Sequence, residues 1–228
     1  MEVFQETLNL LFGSNPELRQ IIGVTLQMSV TSTLIAVGLG IPLGTLIGMY
    51  QIRGKGILMR IINTLMGLPP VVAGLLVFFL LSRSGPLGEY KLLYSVTAMV
   101  IAQVILITPI ATGLTASMVS QRYPLLRETA MGIGLPRRKQ LLYTLYECRS
   151  SLFSVLFTGF GRAISEVGAA QIVGGNVQYK TRTMTTAIVL ETNKGNFDMA
   201  IALGIVLLVI AFVIMCLGQY LKDKSERL

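Results

Sequence analysis

The chain has 228 residues, 53% of them hydrophobic and only 13% charged, with a mean hydropathy of +0.69. That charged share is about half of what a soluble domain carries, which excludes an ordinary globule and points to a chain that crosses a membrane several times. The formal net charge of +8 sits between long apolar runs, so it reads as a topology signal and not as a nucleic-acid surface.

The first twelve residues, MEVFQETLNLLF, predict a short amphipathic helix with Val3, Phe4, Leu8, Leu11 and Phe12 as its apolar residues. They carry two acids and no basic n-region, so they do not read as a signal peptide. Residues 1–20 are therefore expected to form an external segment that lies on a surface or docks. Residues 21–228 form the membrane domain.

Five runs are long enough to span, at about 20 residues per crossing. Ile21 to Ile52, Ile61 to Ser82 and Leu92 to Gln121 contain no charge. A fourth, Ser150 to Val173, is interrupted by Arg162 and Glu166, and a fifth runs from Met199 to Leu221. The stretch TMTTAIVL, 183–190, is apolar but too short to cross, so it is expected as a re-entrant or interfacial piece. With the N-terminus outside, twelve Lys and Arg fall inside and six outside, which favours five spans with N-out and C-in. The two cysteines, Cys148 and Cys216, and the lack of histidine suggest neither a disulfide framework nor a metal site.

The stretch from about 122 to 147 interrupts this pattern. LLRETAMGIGLPRRKQLLYTLYE, 125–147, turns basic and is broken by glycine and proline. Pro124 suits the first turn of a short helix that Gly132 and Gly134 end. Pro136 then starts a second helix, with Leu141, Leu142 and Leu145 on one apolar face. Its first turn, with Arg137, is basic against the helix dipole, so those charges serve topology, lipid phosphates or a partner. The two helices make either a docking knob or a plain loop; helix connections are usually two to eight residues, so a longer one with helical patterning calls for a reason.

ETAMGIG, 128–134, resembles the glutamate-alanine-alanine loop of ABC importer permeases, with Glu128, Thr129, Ala130 and Gly134 at its positions. Threonine stands at the motif's second position, where that family has alanine, and Tyr146-Glu147 where it often has Leu-Pro. The resemblance extends to permeases for molybdate, tungstate and sulfate. LPPVVAGLLVFFLLSRSGPLG (68–88), AQVILITPI (102–110) and FGRAISEVGAAQIVGGN (160–176) are similar to their second to fourth core helices. TRTMTTAIVLETNKGNFDMAIALG, 181–204, looks most like the tungstate type. It implies an all-α integral membrane protein with a type I ABC importer permease core and cytoplasmic coupling helices. The partners implied are a second copy of the chain, two ATP-binding subunits, an extracytoplasmic binding protein and the lipid bilayer of a prokaryotic cell membrane, with no nucleic acid. ATP and magnesium are expected on the partner ATPase and no cofactor in this chain. It also implies that Glu128, Thr129, Ala130, Gly134 and Arg137 couple to the ATPase.

For the pathway, Arg162 and Glu166 lie four apart and share a helix face. Intramembrane charges face a bundle interior or a water path, so the pair is either a clamp between helices or part of an anion gate. Gly174, Gly175 and Asn176 either expose backbone N–H groups to an anion or make a plain turn. Pro42, Pro69, Pro70 and Pro109 fall inside apolar runs and kink helices there, for packing or to shape a cavity. The hydroxyls of SVTSTL, 29–34, are expected to bond their own helix. No G-x-x-x-x-G-K-[ST] loop and no nucleophile–base pairing occurs, so the chain is expected to transport and not to catalyse. Molybdate or sulfate import is the alternative within the class. An ATPase-independent channel or secondary transporter, or an intramembrane enzyme, is the alternative outside it.

Overall fold

The computed structural model describes residues 16–51 and 53–226, all but the side chains of 137, 138, 221, 225 and 226. The amphipathic helix expected over 1–12 lies outside the described residues. The described residues form nine α-helices in order: α1 (Pro16–Met49), α2 (Lys55–Met66), α3 (Pro70–Leu81), α4 (Val96–Gly132), α5 (Arg137–Glu147), α6 (Arg149–Ile164), α7 (Gly168–Gly174), α8 (Met184–Asn193) and α9 (Phe197–Glu226). Among the described residues there is no strand.

Local chemistry sets most of these boundaries. Pro16 opens α1, where its missing N–H costs nothing, and Glu17 suits the positive end of the helix dipole. Ser95 caps α4 by accepting from the Ala98 N–H at 3.3 Å. Thr183 and Thr186 form a reciprocal capping box at the start of α8.

Among the described residues three helices, α1, α4 and α9, are long and apolar enough to cross a membrane. The expected run from Ile61 to Ser82 is not one helix. It is α2 and α3, separated at Gly67, Leu68 and Pro69, and it counts as a fourth candidate span only if the bent halves are taken together. The cause is the Pro69-Pro70 pair: a residue before proline is pushed out of the helical region, and Pro70 restarts a helix as its first residue. The run from Ser150 to Val173 is also broken, into α6 and α7, at Ser165–Val167. Pro42, Pro109 and Pro124 instead lie inside continuous helices. The short helix expected to begin at Pro124 is thus the tail of α4. The piece too short to span, 183–190, falls in α8, which has 10 residues.

The chain forms two compact units. One holds residues up to Ser32, Pro69–Gln103 and Gly161–Cys216. Its core packs Leu18 and Ile21 of α1 against Met184 and Ala187 of α8 and Ala202, Leu203 and Val206 of α9. In the same unit α3 and α7 approach closely, since a Cβ on Gly74 would lie 2.7 Å from the Ala169 Cα. The other unit holds Thr33–Leu68, Val104–Phe160 and the chain from Leu217 on. Its core joins Val37 of α1, Ala111 of α4 and Val155 of α6.

In this second unit α1 presents Gly40, Gly44 and Gly48, four residues apart, to α4. A Cβ would come within 2.6 Å of Ala111 Cβ, 2.5 Å of the Thr112 carbonyl oxygen and 2.6 Å of Val119 Cβ, respectively. Lipid gives little hydrophobic drive for helices to associate, so close backbone approach through small residues is how membrane helices gain packing energy. The other side of α1, with Val30, Leu34, Ile35, Leu39, Leu43 and Leu46, is exposed, as is the Leu208, Phe212 and Leu217 side of α9. Such large apolar surfaces fit lipid contact.

Candidate functional site

The segment from 122 to 147 is a helix–turn–helix. The tail of α4 ends in a turn in which the Leu135 N–H donates to the Ala130 carbonyl at 2.8 Å and the Gly134 N–H to the Met131 carbonyl at 3.0 Å. That pair of bonds is the Schellman motif, and it needs a left-handed residue, supplied by Gly134 at φ +71. Gly132, expected as a second terminator, is the last residue of α4. Pro136 is the N-cap of α5, as its position suggested.

Ala130 is buried, at 1% exposure, beneath this turn. Glu128 and Thr129 are exposed. The Thr129 hydroxyl donates to the Leu125 carbonyl at 3.2 Å, so threonine at the motif's second position is accommodated within this chain. Arg137 lies in the first turn of α5, and its side chain is outside the described residues. Glu128 makes no ion pair among the described residues.

Gln140 holds the two arms together. It is buried, donates through Nε2 to the Leu135 carbonyl at 3.2 Å and accepts at Oε1 from the Tyr123 hydroxyl at 3.3 Å. The inward stripe of α5 is Gln140, Thr144 and Cys148, all buried, while Leu141 and Leu145 are half-buried and Leu142 is exposed. The apolar face expected on α5 is therefore turned partly outward. Leu125, Ile133, Leu142 and Tyr146 are 60% to 70% exposed on a segment that also bears Arg122, Arg127 and Lys139. A cleft of about 530 Å³ beside the turn is lined by Met49, Tyr50, Tyr123, Arg127, Leu135 and Gln140, among others. Burial pushes the Cys148 thiol above its ordinary pKa, an effect Arg122 only partly offsets.

Arg162 and Glu166 are paired. Arg162 Nη1 donates to Glu166 Oε2 at 2.8 Å, and the Glu166 side chain is 2% exposed against 32% for Arg162. The other carboxylate oxygen of Glu166 accepts from the Ala169 N–H at 3.0 Å, in the first turn of α7. Its own carbonyl accepts from the Thr185 hydroxyl at 2.8 Å. Glu166 thus sits in the break between α6 and α7 and satisfies backbone groups the break exposes.

Gly174, Gly175 and Asn176 close α7. Gly174 is buried where a Cβ would lie 2.6 Å from Met99 Sδ. Gly175 is left-handed at φ +69, and its N–H donates to the Gln171 carbonyl at 2.9 Å. Asn176 Oδ1 accepts from the Thr186 hydroxyl at 3.0 Å. The geometry is that of a helix-ending turn with this backbone donor occupied.

Two further features were not anticipated from the sequence. Gln103, buried in α4, accepts from Ser32 of α1 and donates to the Ala163 carbonyl of α6 at 2.9 Å, tying three helices together. Ser32 bonds its own helix, as expected, through the Ser29 carbonyl at 3.2 Å, and also bonds across helices to Gln103. Lys55 Nζ donates to the carbonyls of Gly48 and Tyr50, at 3.2 and 3.3 Å, and to the Ser120 hydroxyl at 3.1 Å. A cation suits those C-terminal carbonyls of α1. A glutamine in an apolar run and a lysine just after a helix end are the signals that could have found them.

Residues 40–227 match the family described as the inner membrane component of binding-protein-dependent transport systems. The tungstate uptake system permease protein TupB of Peptoclostridium acidaminophilum is 40% identical over 98% of this chain and 98% of its own length. A probable anion ABC transporter permease of Haloferax volcanii is 38% identical over 90% of each chain. TupB of Campylobacter jejuni is 38% identical over 96% of this chain and 92% of its own. With a helix–turn–helix between apolar helices and a match that covers most of its length, this chain belongs to the family of binding-protein-dependent transport system inner membrane components.

Proposed function

We propose that this chain is the membrane-spanning permease of an ATP-driven importer for a tetrahedral oxyanion, tungstate in the first place. The relatives named for tungstate uptake support that substrate. The observation that carries the mechanism is the 122–147 helix–turn–helix. It is a rigid knob, closed by Gly134 and Gln140, that exposes Leu125, Ile133, Leu142 and Tyr146. An exposed apolar patch rimmed by charge is a protein-docking surface. Two ATPase subunits dock there, one on each of two copies of the chain, with Glu128, Thr129, Gly134 and Arg137 at the contact and Ala130 packed beneath. ATP and magnesium bind those subunits.

The chain takes five spans, N-out and C-in, so that the basic knob faces the cytoplasm. A binding protein delivers the anion from outside. ATP binding closes the ATPases, moves the knobs and switches the membrane helices between two states. Arg162 and Glu166, with the Gly174–Asn176 turn, stand at the gate. Their bonding suits a support that holds the broken helix in shape.

The test is ATP-dependent uptake of tungstate into vesicles carrying this chain, its ATPase and its binding protein, with molybdate and sulfate as competitors. The expected result is uptake that needs all three components and resists sulfate competition. Transport without the ATPase would overturn the coupling role, and displacement of tungstate by sulfate would move the substrate.

A further inference from the structure

Helix α2, KGILMRIINTLM, presents three different faces. Ile62 is buried, and with half-buried Met59 and Met66 it forms the face turned to the chain; Ile62 and Met66 meet α4 at Gly113, with the Asn63 Oδ1 at the edge of that contact, 3.7 Å from where a Gly113 Cβ would lie. Ile57, Leu58, Ile61 and Leu65 form a second face, 36% to 65% exposed. Arg60, Asn63 and Thr64, flanked by Gly56 and Gly67, form a third, and all five are exposed. The spacings within each set are helical, so these are three stripes and not a scatter.

The apolar stripe is served by lipid. The polar stripe cannot face the same medium, because an unpaired amide or guanidinium in hydrocarbon is strongly disfavoured. Nor is it satisfied from within. Among the described residues Arg60 and Asn63 have no side-chain partner, and the Thr64 hydroxyl only donates to the Arg60 carbonyl at 2.9 Å. The other cation of α2, Lys55, points elsewhere and is held by Gly48, Tyr50 and Ser120. The helix has no carboxylate. What remains is a cationic, donor-rich surface with open space at Gly56, beside the break at Gly67.

We infer that the Arg60–Asn63–Thr64 face of α2 lines the water-filled path and contacts the oxyanion as it leaves toward the cytoplasm. This rests on the reading of the chain as an oxyanion permease. A tetrahedral oxyanion offers only acceptors and negative charge. The guanidinium supplies a planar set of N–H donors and the amide two more. One arginine and two neutral groups make a weak, passing contact, which a path requires. Arg60 is a specificity-determining residue on this view, selecting charge and geometry at the inner end of the route.

The experiment uses the complete importer in vesicles of zwitterionic lipid only, so that no anionic headgroup competes, in a Cys216→Ser background. Asn63→Cys on the polar stripe is compared with Ile61→Cys on the apolar one. Both are exposed to a membrane-impermeant, anionic thiosulfonate reagent from the cytoplasmic side. Thr64→Cys, on the same stripe, serves where Asn63→Cys fails to assemble. The expected result is labelling of N63C at least about tenfold faster than I61C, slowed by saturating tungstate. Uptake by Arg60→Gln should also need a roughly tenfold higher tungstate concentration for half-maximal rate, with Arg60→Lys restoring part of the loss. Equal labelling of the two positions would overturn the proposal. So would fast labelling that tungstate leaves unchanged, which would make the stripe a contact between copies. If the parent complex moves no oxyanion at all, the functional reading fails instead, and the contrast between N63C and I61C still decides whether this face is wet.

Discussion

Gly134 offers the cleanest perturbation of the proposed coupling turn. Its φ is +71, and a Cβ built there meets nothing within 4 Å. Within this chain Gly134→Ala therefore carries no steric penalty, only the conformational one of a left-handed L-residue, about 1–2 kcal/mol. That lowers the population of the closed turn by about 5- to 30-fold if the alternative is an open loop. Gly134→Val adds β-branching and should be worse. Gly134→Asn tolerates the left-handed region and should keep most function. The assay is ATP-dependent tungstate uptake by the complete complex, with ATP hydrolysis followed in parallel. Uptake per ATP should fall in the order asparagine, alanine, valine, while thermal stability of the membrane helices stays near that of the parent. Parent-level uptake by G134V at equal protein would refute the reasoning. Equal damage by alanine and asparagine would show that glycine is needed for room against the partner and not for its backbone.

Three further outcomes follow from the packing and the ion pairs. Gly44→Ala drives a methyl to 2.5 Å from the Thr112 carbonyl oxygen, a backbone atom that cannot swing away, and should destabilise by about 1–3 kcal/mol. Gly38→Ala, on the same helix with nothing within 4 Å, should be neutral or stabilise by up to about 1 kcal/mol, both read as shifts in detergent melting temperature. Glu166→Ala strips Arg162 of its partner and the Ala169 N–H of its acceptor. Breaking a buried pair costs about 3–5 kcal/mol, and the one-third exposure of Arg162 places this case at or below the low end. Glu166→Gln keeps an acceptor for Ala169 and should lose less, in the same melting assay. The hydrogen bond from Lys194 holds the Glu191 carboxyl below the usual carboxylate range. A depressed folded-state pKa means the contribution is complete above the ordinary value, about 4.3, and is lost as pH falls through the lowered one. The protection factor against hydrogen exchange at the end of α8, the observed rate corrected for the intrinsic one, should thus fall in acid, and Glu191→Gln should remove that dependence.

What the sequence disclosed and what it hid divide by the range of the interactions. Hydropathy marks α1, α4 and α9 plainly, because a span is a local property of about 20 residues. Pro136 and Gly134 announce the end of one helix and the start of the next, because caps and left-handed turns are local too. The breaks at Gly67–Pro69 and Ser165–Val167 lie inside runs that hydropathy averages over. The Pro69-Pro70 pair signals the first break. The second has no proline and depends on Glu166 reaching Ala169, a contact that composition does not show. Gln103 and Gln140 are tertiary: each bridges groups 17 to 71 residues away in the chain, or a turn carbonyl that exists only once the helix has ended. The inward polar stripe of α5 follows from Gln140, since a helix that must hold a turn by hydrogen bonds turns its amide inward and leaves Leu142 outside.

The same distinction bears on Arg162 and Glu166, for which clamp and gate looked like rivals. Glu166 is buried and uses both carboxylate oxygens, one on Arg162 and one on the backbone of α7. A carboxylate so engaged is poorly placed to meet an arriving anion and well placed to fix where α6 stops and α7 begins. Arg162 differs: about a third of its side chain is exposed, and only one of its nitrogens is on Glu166. Its remaining donors can act outward while the pair holds it in place. A guanidinium restrained and partly neutralised by a buried partner attracts an anion without trapping it. On the proposed function the two roles separate by residue, with Glu166 as the structural member and Arg162 as the one that would bear on the path. Stability data on the Glu166 variants and uptake data on Arg162→Lys would split along that line.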